Sequence, residues 1–101
     1  MTKREMTVNE YGLMARDHWR QWLPGRYAAI EDPDAYFAAL GEEVAADIAG
    51  LWAEMSLQAG NPPGEDFLDR VGRLNAIRKQ AEEITLADRV LLPPEGAQDD
   101  G

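Results

Sequence analysis

From Pro33 to Pro62 the chain runs without a single proline, and both ends of that run are marked. Asp32-Pro33 supplies a helix cap followed by proline at the first helical position, and Gly60 is placed as the C-terminal stop. A helix of about 26 residues would be about 40 Å long, longer than a domain of this size needs in depth. Its large apolar residues, Phe37, Leu40, Val44, Ile48, Leu51 and Met55, recur at intervals of three and four. Beside them runs a second stripe of mostly small residues, Ala38, Gly41, Ala45 and Ala49, ending at Trp52. Two apolar stripes call for two neighbours, one meeting large side chains and one approaching the backbone closely. This helix is the expected spine.

The segments around it supply those neighbours. Thr7-Val8-Asn9-Glu10 has capping-box spacing, which predicts a first helix from Val8 to about Trp22 with Tyr11, Ala15, His18 and Trp22 inward. Pro24-Gly25 ends it, and residues 24–31 read as a short helical turn anchored by Tyr27 and Ile30. Gly60-Asn61-Pro62-Pro63-Gly64 is a turn. A third helix is predicted from about Glu65 to Asp88, its apolar face formed by Phe67, Val71, Leu74, Ile77, Ala81 and Ile84. A short loop between long helices makes them antiparallel neighbours. The expected fold is all-α: a three-helix domain over residues 8–90, a long antiparallel hairpin with a shorter N-terminal helix packed on it. Residues 1–7 read as a flexible N-terminus and 91–101 as a disordered acidic tail in which Leu91 and Leu92 tuck in.

Composition narrows the function. Of 101 residues 45% are hydrophobic, but 15 of these are alanine, so the core is thin. There is no cysteine, which excludes disulfides and thiolate chemistry. No apolar run is long enough to span a membrane and the first ten residues lack a signal-peptide core, so the expected location is cytoplasmic, with no membrane partner.

Ten acidic residues and no Lys or Arg lie between Arg26 and Arg70, and Arg70 to Lys79 then holds four bases and no acid, within a net charge of −9. Segregated charge builds a field that a partner can read. Glu43, Asp47 and Glu54 project from one side of the long helix. With the turn centred near residue 62, Glu54 falls near Arg70 and Asp47 near Arg73 or Arg78. One reading is an internal charge zipper, which still leaves acid in surplus. The other is an exposed acidic face, Glu42, Glu43, Asp47 and Glu54, that docks the basic surface of a protein such as a nucleic-acid enzyme. An alternative gives DNA contact to Arg70, Arg73, Arg78 and Lys79, helped by Arg16 and Arg20. A third makes the Ala38/Gly41/Ala45/Ala49 stripe a homodimer contact.

No enzyme chemistry suggests itself. The lone His18 sits on an apolar face, Ser56 is the only serine, and the Glu42-Glu43 and Glu82-Glu83 pairs point apart. Neither a metal site nor a cofactor is expected.

Leu74-Asn75-Ala76-Ile77-Arg78-Lys79-Gln80-Ala81-Glu82-Glu83-Ile84 resembles a segment of the transposon-encoded accessory proteins called TnpV, and Tyr11-Gly12 with Pro24 and Tyr27 is similar to a second pattern of that family. The resemblance implies an accessory role on a mobile element, likened to excisionases, small proteins that bend DNA or steer a recombinase. Asn75, Arg78, Glu82 and Glu83 carry over as polar positions. The expected function is a non-catalytic accessory protein of a mobile element or phage that modulates a nucleic-acid-handling protein.

Overall fold

A computed structural model describes residues 7–96. Four helices occur in it: α1 (Glu10–Trp22), the five-residue α2 (Pro24–Ala28), α3 (Pro33–Ala59) and α4 (Phe67–Arg89). No strand is present among the described residues. The spine is as expected. The Asp32 side chain accepts a hydrogen bond from the Ala35 amide, Pro33 opens the helix, and Gly60 closes α3 after 27 residues at a φ of 70° that favours glycine.

α1 and α4 both pack on α3. The large stripe of α3 is buried at Phe37, Leu40, Val44 and Ile48 and half-buried at Leu51 and Met55. Phe37, fully buried, is the hub of an aromatic cluster: Trp19 and Tyr36 meet it edge-on at 5.3 and 5.1 Å, and Tyr27 stacks on it at 6.0 Å. The small-residue stripe receives α1. A Cβ on Gly41 would collide with the Asn9 carboxamide, and one on Gly12 with the Phe37 carbonyl. The two backbones therefore meet glycine to glycine. Of the homodimer contact expected of Ala38, Gly41, Ala45 and Ala49, α1 holds the part around Gly41, while Ala49 is exposed.

That contact also moves the start of α1. The cap is Asn9 rather than Thr7, its side chain accepting from the Gly12 amide at 2.9 Å, and the helix begins at Glu10 instead of Val8. Asn caps as well as Thr does, and only Asn9 lies against Gly41. The inward residue at the far end of α1 is Trp19, 3% exposed, while Trp22 is 45% exposed. The chain turns at the buried Leu23 into α2, which leaves Trp22 on the outside.

On α4 the expected face is corrected more strongly. Ala81 and Thr85 are buried, Leu74 and Ile77 half-buried, but Phe67 is 74% and Ile84 49% exposed. The helix starts at Phe67 behind an Asp66 cap, two residues later than expected. Because α1 reaches only the C-terminal half of α4, Phe67 near the turn has nothing to pack on, and Ile84 lies on the side of α4 away from Glu82, where Tyr11 of α1 meets it.

The segment after α4 is held in place up to residue 96, which corrects the acidic tail from residue 91 onward. Val90 is fully buried and its carbonyl accepts the Trp19 indole N–H at 2.9 Å. His18 Nε2 bonds the Leu92 carbonyl at 2.7 Å, and the Glu95 carboxylate accepts from the Gly25 and Arg26 amides at 2.9 Å each. Residues 1–6 and 97–101 lie outside the described part. No described helix is long and apolar enough to cross a membrane.

Gly41→Val should therefore be strongly destabilising. Crowding Asn9 out of its cap and driving α1 from α3 should cost about 2–4 kcal/mol, a fall in melting temperature of at least about 10 °C. The same change at Gly50, where a Cβ meets open space, should cost under about 1 kcal/mol. Thermal unfolding followed by circular dichroism compares the two.

Candidate functional site

The acidic positions of α3 do not form one uniform face. Glu43 and Asp47 are held by a single cation, Arg89 near the end of α4, whose guanidinium donates to Glu43 Oε1 at 2.7 Å and to Asp47 Oδ2 at 2.6 Å. The Glu43 carboxylate, with Asp47 behind it, pushes the Arg89 pKa further above its already high ordinary value. This fork relieves the Glu43–Asp47 repulsion that isolated helix geometry imposes. Glu42 and Glu54 are exposed and have no ion pair among the described residues.

The expected zipper is thus wrong in its partners. Arg73 bonds Glu65 at 2.8 Å, across the start of its own helix, and Glu65 is thereby held below the usual carboxylate range. Arg70 makes no ion pair with Glu54. Arg78 lies over the Trp52 ring, 5.5 Å from its centroid. A mirror point at residue 62 would put that arginine roughly two helical turns further up α3. The link from Gly60 to Asp66 is longer than a turn centred on Pro62, and it offsets the two helices. Arg89 could have been found from the sequence only with that offset known.

Below the fork, α3 and α4 enclose an open trough of about 380 Å³ lined by Asp47, Leu51, Glu54, Ile84, Asp88 and Arg89. Three carboxylates face one guanidinium over an apolar floor, so the trough suits the stem and charge of a Lys or Arg side chain. Asp88 is a contributor that the sequence reading missed.

The family-like polar positions divide. Tyr11 donates its hydroxyl proton to Glu82 at 3.1 Å, and Arg78 lies 3.8 Å from the same carboxylate. Tyr11 and the Arg78/Glu82 pair, some 70 residues apart in sequence, therefore meet where α1 crosses α4. Asn75 and Glu83 are exposed and stand outside this cluster. The basic residues considered for DNA do not converge either. Arg73 is tied to Glu65 and Asn61, Arg78 to Trp52 and Glu82, and Arg16 and Arg20 both approach Asp17. Arg70 and Lys79 alone of the four are exposed without an ion pair among the described residues. Among the same residues no three His, Cys, Asp or Glu side chains are grouped to hold a metal ion.

No protein-family model matches this chain, and neither does any of the curated proteins or solved structures compared with it.

Tyr11 gives the cluster a pH signature. Burial first, then the bond to Glu82, raises its pKa above the ordinary 10.0. The folded state thus holds the phenolic proton more tightly than the unfolded chain. The resulting stability is complete below pH 10 and is lost as pH rises through the folded value. Tyr11→Phe lacks this dependence. In urea unfolding at a series of pH values, the advantage of the parent over Tyr11→Phe should shrink above about pH 10.

Proposed function

We propose that this chain is a non-catalytic accessory protein that docks the basic surface of a partner protein through the acidic trough between α3 and α4. The observation that carries this reading is the trough itself, in which Asp47, Glu54 and Asp88 outnumber Arg89 beside a floor of Leu51 and Ile84. An incoming Lys or Arg would lay its stem on that floor and meet Glu54 and Asp88, which have no ion pair among the described residues. Glu43 and Asp47 take a different role from the one their exposure in sequence suggested. They hold Arg89, and a partner cation would have to compete with it. Glu42, on the adjoining face, adds long-range attraction.

The resemblance of the 74–84 segment to mobile-element accessory proteins supports a nucleic-acid enzyme, such as a recombinase, as the partner class, and a cytoplasmic setting. Occupying such an enzyme's basic surface would modulate or block its access to DNA. Direct DNA contact is the weaker reading, because Arg73 and Arg78 are engaged within the chain and the net charge of −9 opposes it.

The test is affinity capture from host lysate with and without nuclease, followed by titration of the captured protein with variants. Reversing Glu54 and Asp88 to Lys should leave the helical circular dichroism intact and weaken binding at least about tenfold, with lost salt dependence. Binding that survives the double reversal, or that vanishes with nuclease, rejects the trough.

A further inference from the structure

The acidic trough is one half of a longer groove. A second hollow of about 300 Å³ lies on the other side of Arg89, lined by Tyr36, Ala39, Leu40, Glu43 and Arg89 itself. The two halves repeat each other along α3: Ala39, Leu40 and Glu43 of the hollow recur eleven positions on as Gly50, Leu51 and Glu54 of the trough. Eleven residues advance about 16 Å along a helix and return to within about 20° of the same side, so the hollow and the trough sit in line on one face of α3. Each has a leucine beneath it and a glutamate beside it. They differ in charge. Glu43 is bonded to Arg89 at 2.7 Å, whereas Glu54 and the neighbouring Asp88 have no ion pair among the described residues.

We infer that this groove seats an amphipathic helix of a partner protein, one that carries a large apolar side chain and a Lys or Arg eleven positions apart. The inference rests on the docking role proposed for the trough and specifies its occupant. Charge decides which anchor goes where. In the hollow the glutamate is already neutralised, and a cation entering there would have to displace Arg89. An apolar side chain displaces nothing and meets Leu40 and the ring of Tyr36, which is 41% exposed. The trough offers two unpaired carboxylates above Leu51 and Ile84, which suits a cation on a long stem. Register decides the form of the occupant. A helix satisfies its own backbone and reaches the hollow and the trough with residues on one of its sides, three turns apart. An extended strand would lay its N–H and C=O groups against two helices whose own are already paired.

Helix-forming alanine–glutamine peptides of about 20 residues, each carrying one tryptophan and one arginine in either order, test it on the isotope-labelled full chain. With the two residues eleven positions apart, the peptide should saturate the protein in one order at least, moving the NMR amide signals of Ala39 and Asp88 along one binding curve. Set nine positions apart, the same residues fall on opposite sides of the helix, and binding should weaken at least about fivefold. Ala39→Glu is the decisive variant. It adds a negative charge, so attraction by charge alone would tighten binding, whereas filling the hollow should weaken it at least about fivefold with the helical circular dichroism unchanged. Binding that Ala39→Glu leaves equal or tightens, indifference to the spacing, or no saturable binding of the eleven-spaced peptide overturns the inference. The trough reading is separated from it by Glu54→Lys with Asp88→Lys: if that double variant loses the peptide while Ala39→Glu keeps it, the trough stands and only the helix with its apolar anchor is rejected.

Discussion

The rest of the structure depends on the contact of Gly12 with α3 at Gly41. With no Cβ on either residue, α1 approaches α3 backbone to backbone, which brings Trp19 within ring contact of Phe37 and its indole N–H to the Val90 carbonyl. That bond ties the end of α4 to α1, and the segment behind it follows: Leu92 is held by His18 and Glu95 by the amides at the start of α2. Two glycines thus decide where an alanine-rich chain with a thin core can close. A side chain at either position would separate α1 from the spine and loosen every later contact in this series.

Closing at that end leaves the other end open. α1 is 13 residues long against 27 for α3 and 23 for α4, so it can cover only part of the hairpin. Among the described residues the largest fully buried side chains, Phe37, Val44 and Val90, belong to the covered part. Near the turn the hairpin is two helices held by Leu51, Met55, Leu74 and Ile77, all half-buried. Two helices alone bury one stripe each, which is why Phe67 and Val71 are exposed even though their spacing reads as core.

This is also the limit of what the sequence discloses. The spine was legible to the residue, because Asp32-Pro33 and Gly60 act through local backbone chemistry. The close approach of α1 was legible as a class of contact from the small stripe around Gly41. The cap at Asn9 was not, because Thr7 offers an equally good local cap and the choice is made by the packing of Asn9 on Gly41. Periodicity gave the phase of α4 but not the reach of its neighbour, so Phe67 and Val71 were assigned to a core that ends before them. The charge register failed for a similar reason. Which cation meets Asp47 depends on the offset of two helices across the Gly60–Asp66 link, and nothing local to Arg73, Arg78 or Arg89 encodes it.

The charge segregation then takes on a different meaning from the one its sequence suggests. The basic block from Arg70 to Lys79 pairs with only one acid of the block before it, Glu65. Arg73 is spent on Glu65 at its own helix start, Arg78 on Trp52 and Glu82, and the cation that does cross the seam, Arg89, comes from outside the block. One guanidinium against two carboxylates in the fork, with Glu42, Glu54 and Asp88 beyond it, keeps the α3–α4 seam negative. Exposed pairs of this kind contribute at most about 1 kcal/mol each, so stability alone gives little reason for so lopsided a distribution. A field of one sign over a grooved, partly apolar surface is instead what raises encounter rates with an oppositely charged partner.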